Sequence, residues 1–273
     1  MDDLRVAAVC MHSEPGEVGR NLERTHALAF EASSGGAHIV CFPELSVTGY
    51  VLKQPASVYN GLPHEKALER LIRIAQEAGL VLMAGLIEFY HDKKPFITQV
   101  IVGPNGLIGS YRKTHLSPAE KNTYQAGQEI EVYRVGNTIL GVELCYETHF
   151  PEISTVLALM GADILFLPHA SPRGNARMKL QSWLRHLPSR AFDTGTYVVA
   201  CNQIGSTAAG FTFPGVAVVL GPDGQILARY TGEDEGILLA DLKAEKLHSM
   251  RRHRMKYFLP QRRPELYHRL VKS

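Results

Sequence analysis

The chain of 273 residues carries a formal net charge of +2, with 45% hydrophobic and 21% charged residues. This ordinary globular composition excludes intrinsic disorder, collagen and coiled coil, and the near-neutral charge gives no electrostatic case for nucleic acid or an anionic membrane. No apolar run reaches the roughly 18 residues that span a bilayer, and the start MDDLRVAAVC has acids where a secretory signal carries positive charge.

In chain order, short apolar runs alternate with segments of helical period. Residues 4–10 read as a strand, 21–32 as a helix ending at Gly35-Gly36, and 38–42 as a strand running into Pro43-Glu44. Residues 64–78 form an amphipathic helix, with Leu68, Leu71, Ile72 and Ala75 on one face and Gly79 as its stop. A buried strand follows at 80–89, then strands 96–102 and 107–112 around the hairpin signal Gly103-Pro104-Asn105-Gly106. The second half repeats this alternation, with strands at 131–135 and 138–144, a helix at 150–160, a strand at 164–167, a helix at 177–192 and a strand at 197–201. A second hairpin surrounds Gly221-Pro222-Asp223-Gly224, and a last strand at 237–242 leads into a basic helix.

The two turns, VGPNGLI and LGPDGQI, match with Gly103 and Gly221 lying 118 positions apart. The match suggests two similarly built halves, although Pro-Asx-Gly is also the commonest hairpin chemistry and would produce it alone. At roughly 150 residues per domain the length allows one large or two small domains. No Pro/Ser-rich linker divides the chain, so a single α/β layered domain over 1–273 is expected.

The cysteines, Cys10, Cys41, Cys145 and Cys201, are far apart with no CxxC. That argues against a disulfide framework and a thiolate metal site, and for reduced thiols in the cytoplasm. The twelve histidines include no HExxH, and no glycine-rich nucleotide loop is present. No metal and no cofactor are expected.

Three polar residues break the pattern at strand ends, where α/β folds place chemistry. Glu44 follows an apolar strand and a proline; desolvation there raises a carboxyl toward a useful general base, while a capping or salt-bridged glutamate would look the same. Lys113 ends the first hairpin, where lysines are usually solvated. Cys145 ends a strand and precedes a helix, so nearby backbone N–H groups can lower a thiol pKa and hold an oxyanion. A buried core cysteine is the alternative, weakened by the polar run Tyr146-Glu147-Thr148-His149 that follows.

Together the segments FPELSVTGY, YRKTHL and GVELCYETHFPE resemble, in order and spacing, the Glu-Lys-Cys triad motifs of the nitrilase superfamily, the carbon–nitrogen hydrolases. AEKNTYQAGQEI resembles the segment carrying a second family glutamate, which falls on Glu120; LMGADILFLPHAS, CNQIG, FPGVAVVLGPDGQILA and YFLPQRRPELY extend the likeness over residues 4–267. The resemblance implies a four-layer α-β-β-α sandwich, with Cys145 as nucleophile, Glu44 as general base, Lys113 beside the oxyanion with the Tyr146 backbone N–H, and Glu120 positioning Lys113 or substrate. It further implies an amidase or N-carbamoyl amidohydrolase that releases ammonia through a thioester. A nitrilase acting on a nitrile and a catalytically silent binding module are the alternatives. A homodimer through the helix at 150–160 is implied, with the tail from 243 to 273 wrapping the domain or its partner.

Two departures stand out. Many members carry Arg in a Cys-Tyr-Asp-x-Arg-Phe-Pro-Glu pattern, where this chain has Glu147, Thr148 and His149; a Gly-x-Ser strand is here Gly215-Val216-Ala217. Tyr50, His149, His169, Ser171 and Arg173 are candidates for the substrate pocket, Arg173 as a bidentate carboxylate partner. A structural histidine and a solvated loop cation are the competing readings of His169 and Arg173. Trp183 reads as core.

Overall fold

The first strand, β1 (Leu4–Cys10), sends Val6, Ala8 and Cys10 to one core cluster and Ala7 and Val9 to another. A strand buried on both faces needs just such a continuous apolar run. The structure is a computed structural model that describes residues 1–59, 63–90 and 93–271. In the first half, α1 (Val18–Ser34), β2 (Ile39–Cys41), α2 (His64–Ala78), β3 (Val81–Glu88), β4 (Phe96–Gly103) and β5 (Gly106–Arg112) follow in order. The second half runs β6 (Val132–Val135), β7 (Thr138–Val142), α3 (Pro151–Leu159), β8 (Ile164–His169), α4 (Ala176–Trp183), α5 (Leu187–Thr194) and β9 (Tyr197–Asn202). Short strands β10 (Gly205–Ser206) and β11 (Thr212–Phe213) precede β12 (Gly215–Leu220), β13 (Ile226–Gly232), β14 (Gly236–Leu242) and α6 (Ala244–Arg252).

Two six-stranded sheets result, ordered β14-β1-β2-β3-β4-β5 and β13-β12-β9-β8-β7-β6. Each has three parallel strands (β1-β2-β3 and β7-β8-β9), an antiparallel strand on one side and an antiparallel hairpin on the other. The hairpin turns seen in the sequence join corresponding strands, and each hairpin shifts register at the equivalent place, Ile101/Val102 and Val219/Leu220. The duplication suggested by two short turns is therefore a property of the whole topology.

Ile39, Met83, Val142, Ile164, Phe166, Val199 and Val219 meet between the sheets. Helices α1 and α2 cover the outer face of one sheet through Leu22, Ala29, Leu71 and Ile74. Helices α3, α4 and α5 cover the other through Ile153, Leu157, Leu180, Trp183 and Leu187. This is the four-layer α-β-β-α sandwich. The helix expected over 177–192 is instead two, because Pro188 in the first turn of α5 has no N–H to continue α4. Beyond β14, α6 docks through Leu247 and Met250, and Arg251 ties it to Asp163 at 2.8 Å. Of the tail expected over 243–273, residues 272 and 273 lie outside the described residues.

Candidate active site

Glu44 sits in the turn after β2. The turn is held down on β3 by Phe42 N–H donating to Met83 O and Val47 N–H to Gly85 O, both 2.9 Å. The contact is so close that a Cβ on Gly85 would stand 2.1 Å from Leu45 N, so only glycine fits there. Lys113 follows β5, its N–H donating to Ile97 O at 2.9 Å. Its carbonyl accepts from Gly127 N–H, where a Cβ would meet Arg112 O at 2.3 Å. Cys145 begins a 3-10 turn just after β7. Two of the three non-glycine residues with left-handed φ among the described residues are Leu45 (55°), beside Glu44, and Cys145 itself (48°). Such conformations cost of order 1 kcal/mol or more and persist where the surroundings dictate them.

The fold brings the four residues expected from the resemblance together. Lys113 Nζ donates to Glu44 Oε1 at 2.7 Å and Glu120 Oε1 at 3.0 Å. All three side chains are buried. Glu44 Oε2 accepts from Ala170 N–H at 3.0 Å, and Glu120 Oε2 from Ser117 N–H at 2.7 Å. Gln203 Nε2 fixes the Glu44 backbone carbonyl at 2.7 Å.

Burial pushes the Glu44 carboxyl up, to about 7; the Lys113 charge opposes this and the Glu120 charge adds to it. Burial alone would pull Lys113 down, but the Glu44 and Glu120 carboxylates hold its pKa well above the usual lysine range. An ammonium has three donors, and two are engaged. The Cys145 thiol is pushed up to about 12, first by burial and then by the Glu44 charge, with Lys113 opposing. The sequence expectation that turn N–H groups lower this pKa is corrected: desolvation beside a carboxylate outweighs them. The resting thiol is protonated and needs a base.

Cys145 opens on a cavity of about 890 Å³ lined also by Tyr50, Glu120, Tyr146, His149, His169, Ser171, Arg173, Lys179, Trp183 and His186. The whole candidate pocket set is thus gathered here, with differing surroundings. Tyr50 is buried edge-on against Phe211 and Phe213. Tyr146 packs edge-on against His149 and Phe150. Exposed His149 stacks near His186, ring centroids 4.7 Å apart, and burial lowers its pKa. His169 is buried, with Nδ1 2.7 Å from Leu167 O and its ring 4.4 Å from Trp183; desolvation holds its pKa well below the usual value. It lines the cavity as a neutral, backbone-anchored ring. Ser171 is clamped by Asn202, whose Oδ1 accepts from its N–H at 2.8 Å. Arg173 is exposed. Trp183 is core, as its spacing suggested, and also forms cavity wall.

Sequence reasoning missed Glu147, Lys179, Asn202 and Gln203. Glu147 is buried, and its carboxylate collects Tyr111 Oη, Thr114 N–H, Thr114 Oγ1 and His115 N–H on Oε1 and Leu144 N–H on Oε2. It thereby ties the chain after Lys113 to the residue before Cys145. In the sequence it stands out only as part of a departure from a motif. Asn202-Gln203 could have been found as a polar pair ending an apolar strand. Lys179 carries no pattern signal, because its helix face is mixed.

A sequence profile of the carbon–nitrogen hydrolases matches residues 5–252. A nitrilase of Pyrococcus abyssi is 29% identical over 97% of this chain and 100% of its own length. Human deaminated glutathione amidase is 31% identical over 97% of this chain and 84% of its own. An amidase from Nesterenkonia sp. superposes with a TM-score of 0.83 at 28% identity, covering 98% of this chain and 96% of that one. A structure of a mutant of that amidase records Michael addition of acrylamide at its active-site cysteine.

Proposed function

The chain belongs to the carbon–nitrogen hydrolase family, and from that premise we propose that it hydrolyses amide or N-carbamoyl substrates, releasing ammonia through a thioester on Cys145. The observation that carries the reading is the buried Glu44–Lys113–Glu120 ion cluster lying against a cavity-lining thiol. A thiol at about 12 is almost wholly protonated at neutral pH, so attack requires simultaneous proton transfer. Glu44, raised to about 7, is matched to that task and is ionised above neutrality.

In this mechanism the Cys145 sulfur attacks the amide carbon as its proton passes to Glu44. The carbonyl oxygen becomes an oxyanion beside the third Lys113 donor and the Tyr146 backbone N–H. Glu44 returns the proton to the nitrogen, the C–N bond breaks and ammonia leaves. Glu44 then takes a proton from water, which attacks the thioester; the acid departs and the thiol is restored. Glu120 keeps the ammonium aimed. Removing one oxyanion donor typically costs about 100- to 1000-fold in rate.

The reading extends to assembly and location. The domain over 1–273 acts as a homodimer or higher homo-oligomer. A second copy would cover Val156 and Leu159 of α3 and Met160 just after it, and the exposed tail residues Phe258, Leu266 and Val271 would reach the domain or its partner. Among the described residues no helix is long and apolar enough to cross a membrane, and the four free thiols suit the cytoplasm. The test is ammonia release from amides, N-carbamoyl amines and amino acids, and nitriles, beside Cys145→Ala. Release from amides or carbamoyl compounds that Cys145→Ala abolishes is the expected result. Release from nitriles alone, or an equally active alanine variant, would overturn it.

A further inference from the structure

Lys179, on α4, is 7% exposed, yet among the described residues no carboxylate lies within ion-pair distance of it. Its Nζ donates to Ser171 Oγ at 2.5 Å. One acceptor leaves two ammonium donors for another group. Burial lowers its pKa and Arg173 pushes the same way, while the Cys145 sulfur is the group that acts oppositely. A buried ammonium without a counter-ion is costly, and proteins normally pair it. Here the surroundings aggravate the cost. Arg173 and Arg185 line the same cavity, and the carboxylate in the lining is Glu120, already held by Lys113 and Ser117. The cavity therefore presents an excess of positive charge next to the thiol.

Resting on the amide-hydrolase reading, we propose that Lys179 is a specificity-determining residue that pairs with a carboxylate on the acyl part of the substrate, so that the substrates are amides bearing a negative charge. The carboxylate supplies the missing counter-ion, and the amide end meets Cys145. Ser171, fixed by Asn202 at 2.8 Å, keeps the ammonium in place until substrate arrives. A lysine serving only to brace the Ser171 loop would affect neutral and anionic substrates alike.

The experiment compares monoamides of straight-chain dicarboxylic acids of three to six carbons with uncharged amides of the same lengths. The wild-type protein should favour the charged series. Lys179→Met should lower kcat/KM for the best charged amide on the order of 10- to 100-fold, the worth of a charge-assisted hydrogen bond. The loss should appear mainly in KM, with the neutral series changed no more than a few-fold. Lys179→Gln, which keeps a donor to Ser171, should behave like Lys179→Met. In a separate arm, the matching dicarboxylate should protect Cys145 from iodoacetamide in the wild-type protein and fail to do so in either variant. A wild-type preference for neutral amides, or an equal loss on both series, overturns the proposal. If neither series is turned over, the amide form of the hydrolase reading fails. The labelling arm then still decides the lysine: lost protection upholds the anion site, unchanged protection removes it.

Discussion

Replacing Glu147 by Gln changes one atom and tests how the two halves of the site are held in register. The carboxylate accepts from Tyr111 at 2.8 Å, from Thr114 N–H at 2.8 Å and Oγ1 at 2.5 Å, from His115 N–H at 3.1 Å and from Leu144 N–H at 2.7 Å. Every partner is a donor. An amide offers one acceptor oxygen, so its NH2 must face at least one buried N–H. Leaving such a donor unsatisfied costs about 1–3 kcal/mol, and the surviving bonds lose their charge assistance. A total near 3 kcal/mol is expected, a fall in Tm of roughly 5–10 °C for a chain of this size. The register change is expected to reduce kcat on the order of 10- to 100-fold, with KM little altered, since small misplacements of reacting groups cost that much. Steady-state kinetics well below the lowered Tm, with the rate of iodoacetamide alkylation of Cys145, separate the two effects. Wild-type kcat and alkylation in a destabilised variant would show that Glu147 holds the fold without setting the site geometry. Wild-type stability as well would refute the network.

Two further predictions concern pH. Because the Glu44 carboxyl is raised to about 7 by burial and must be ionised to act, kcat/KM for an uncharged amide should fall about tenfold per pH unit below that point; a flat profile between pH 5.5 and 8 sinks the assignment of the base. Glu143 is buried, its Oε2 has no hydrogen-bond partner among the described residues, and burial raises its carboxyl to about 8, with Ser154 opposing and Glu147 adding. A raised folded-state pKa gives stability that is complete below the unfolded value of 4.5 and is lost as pH climbs through 8, at about 1.4 kcal/mol per pH unit. Glu143→Gln should therefore gain on the wild type by about 3 kcal/mol between pH 5.5 and 8 in urea unfolding. An unchanged difference between the two proteins across that range would mean that Glu143 does not stay protonated in the fold.

The legible parts of the molecule are those where a local rule and the tertiary answer agree. Strand β1 and helix α2 are readable to their ends, because a run of Val and Ala and an apolar stripe stopped by Gly79 need no distant partner to be recognised. Glu44 and Cys145 stand out as polar interruptions at strand ends, and the order of three motifs gives them roles. What is hidden depends on distance in the chain. Lys113 looks like a solvated strand end until Glu44, 69 residues away, meets it at 2.7 Å. Lys179 gains meaning only from the absence, among the described residues, of an acid around it, which no local pattern encodes. The sign of the Cys145 shift escapes a local reading because desolvation is set by the packing of both sheets, not by the turn that carries the thiol.

The duplication explains why the site is single. Strand order makes the end of β13 the counterpart of the end of β5, which carries Lys113, and the end of β1 the counterpart of the end of β7, which carries Cys145. At those counterpart ends the chain places Glu235 and His12. His12 N–H donates to Glu235 Oε1 at 2.7 Å, and Arg24 Nε to the same oxygen at 2.9 Å. The second crossing of strand ends is thus closed by a structural ion pair. Glu44 and Ala170, after the corresponding strands β2 and β8 of the two sheets, meet at 3.0 Å. Each half contributes to the proposed site what the other lacks: Glu44 and Lys113 from the first, Cys145 and the Ala170 N–H from the second. Neither half alone buries Lys113 against Cys145, so the perturbed carboxyl and thiol arise only when the sheets pack face to face. The chemistry is a consequence of that packing.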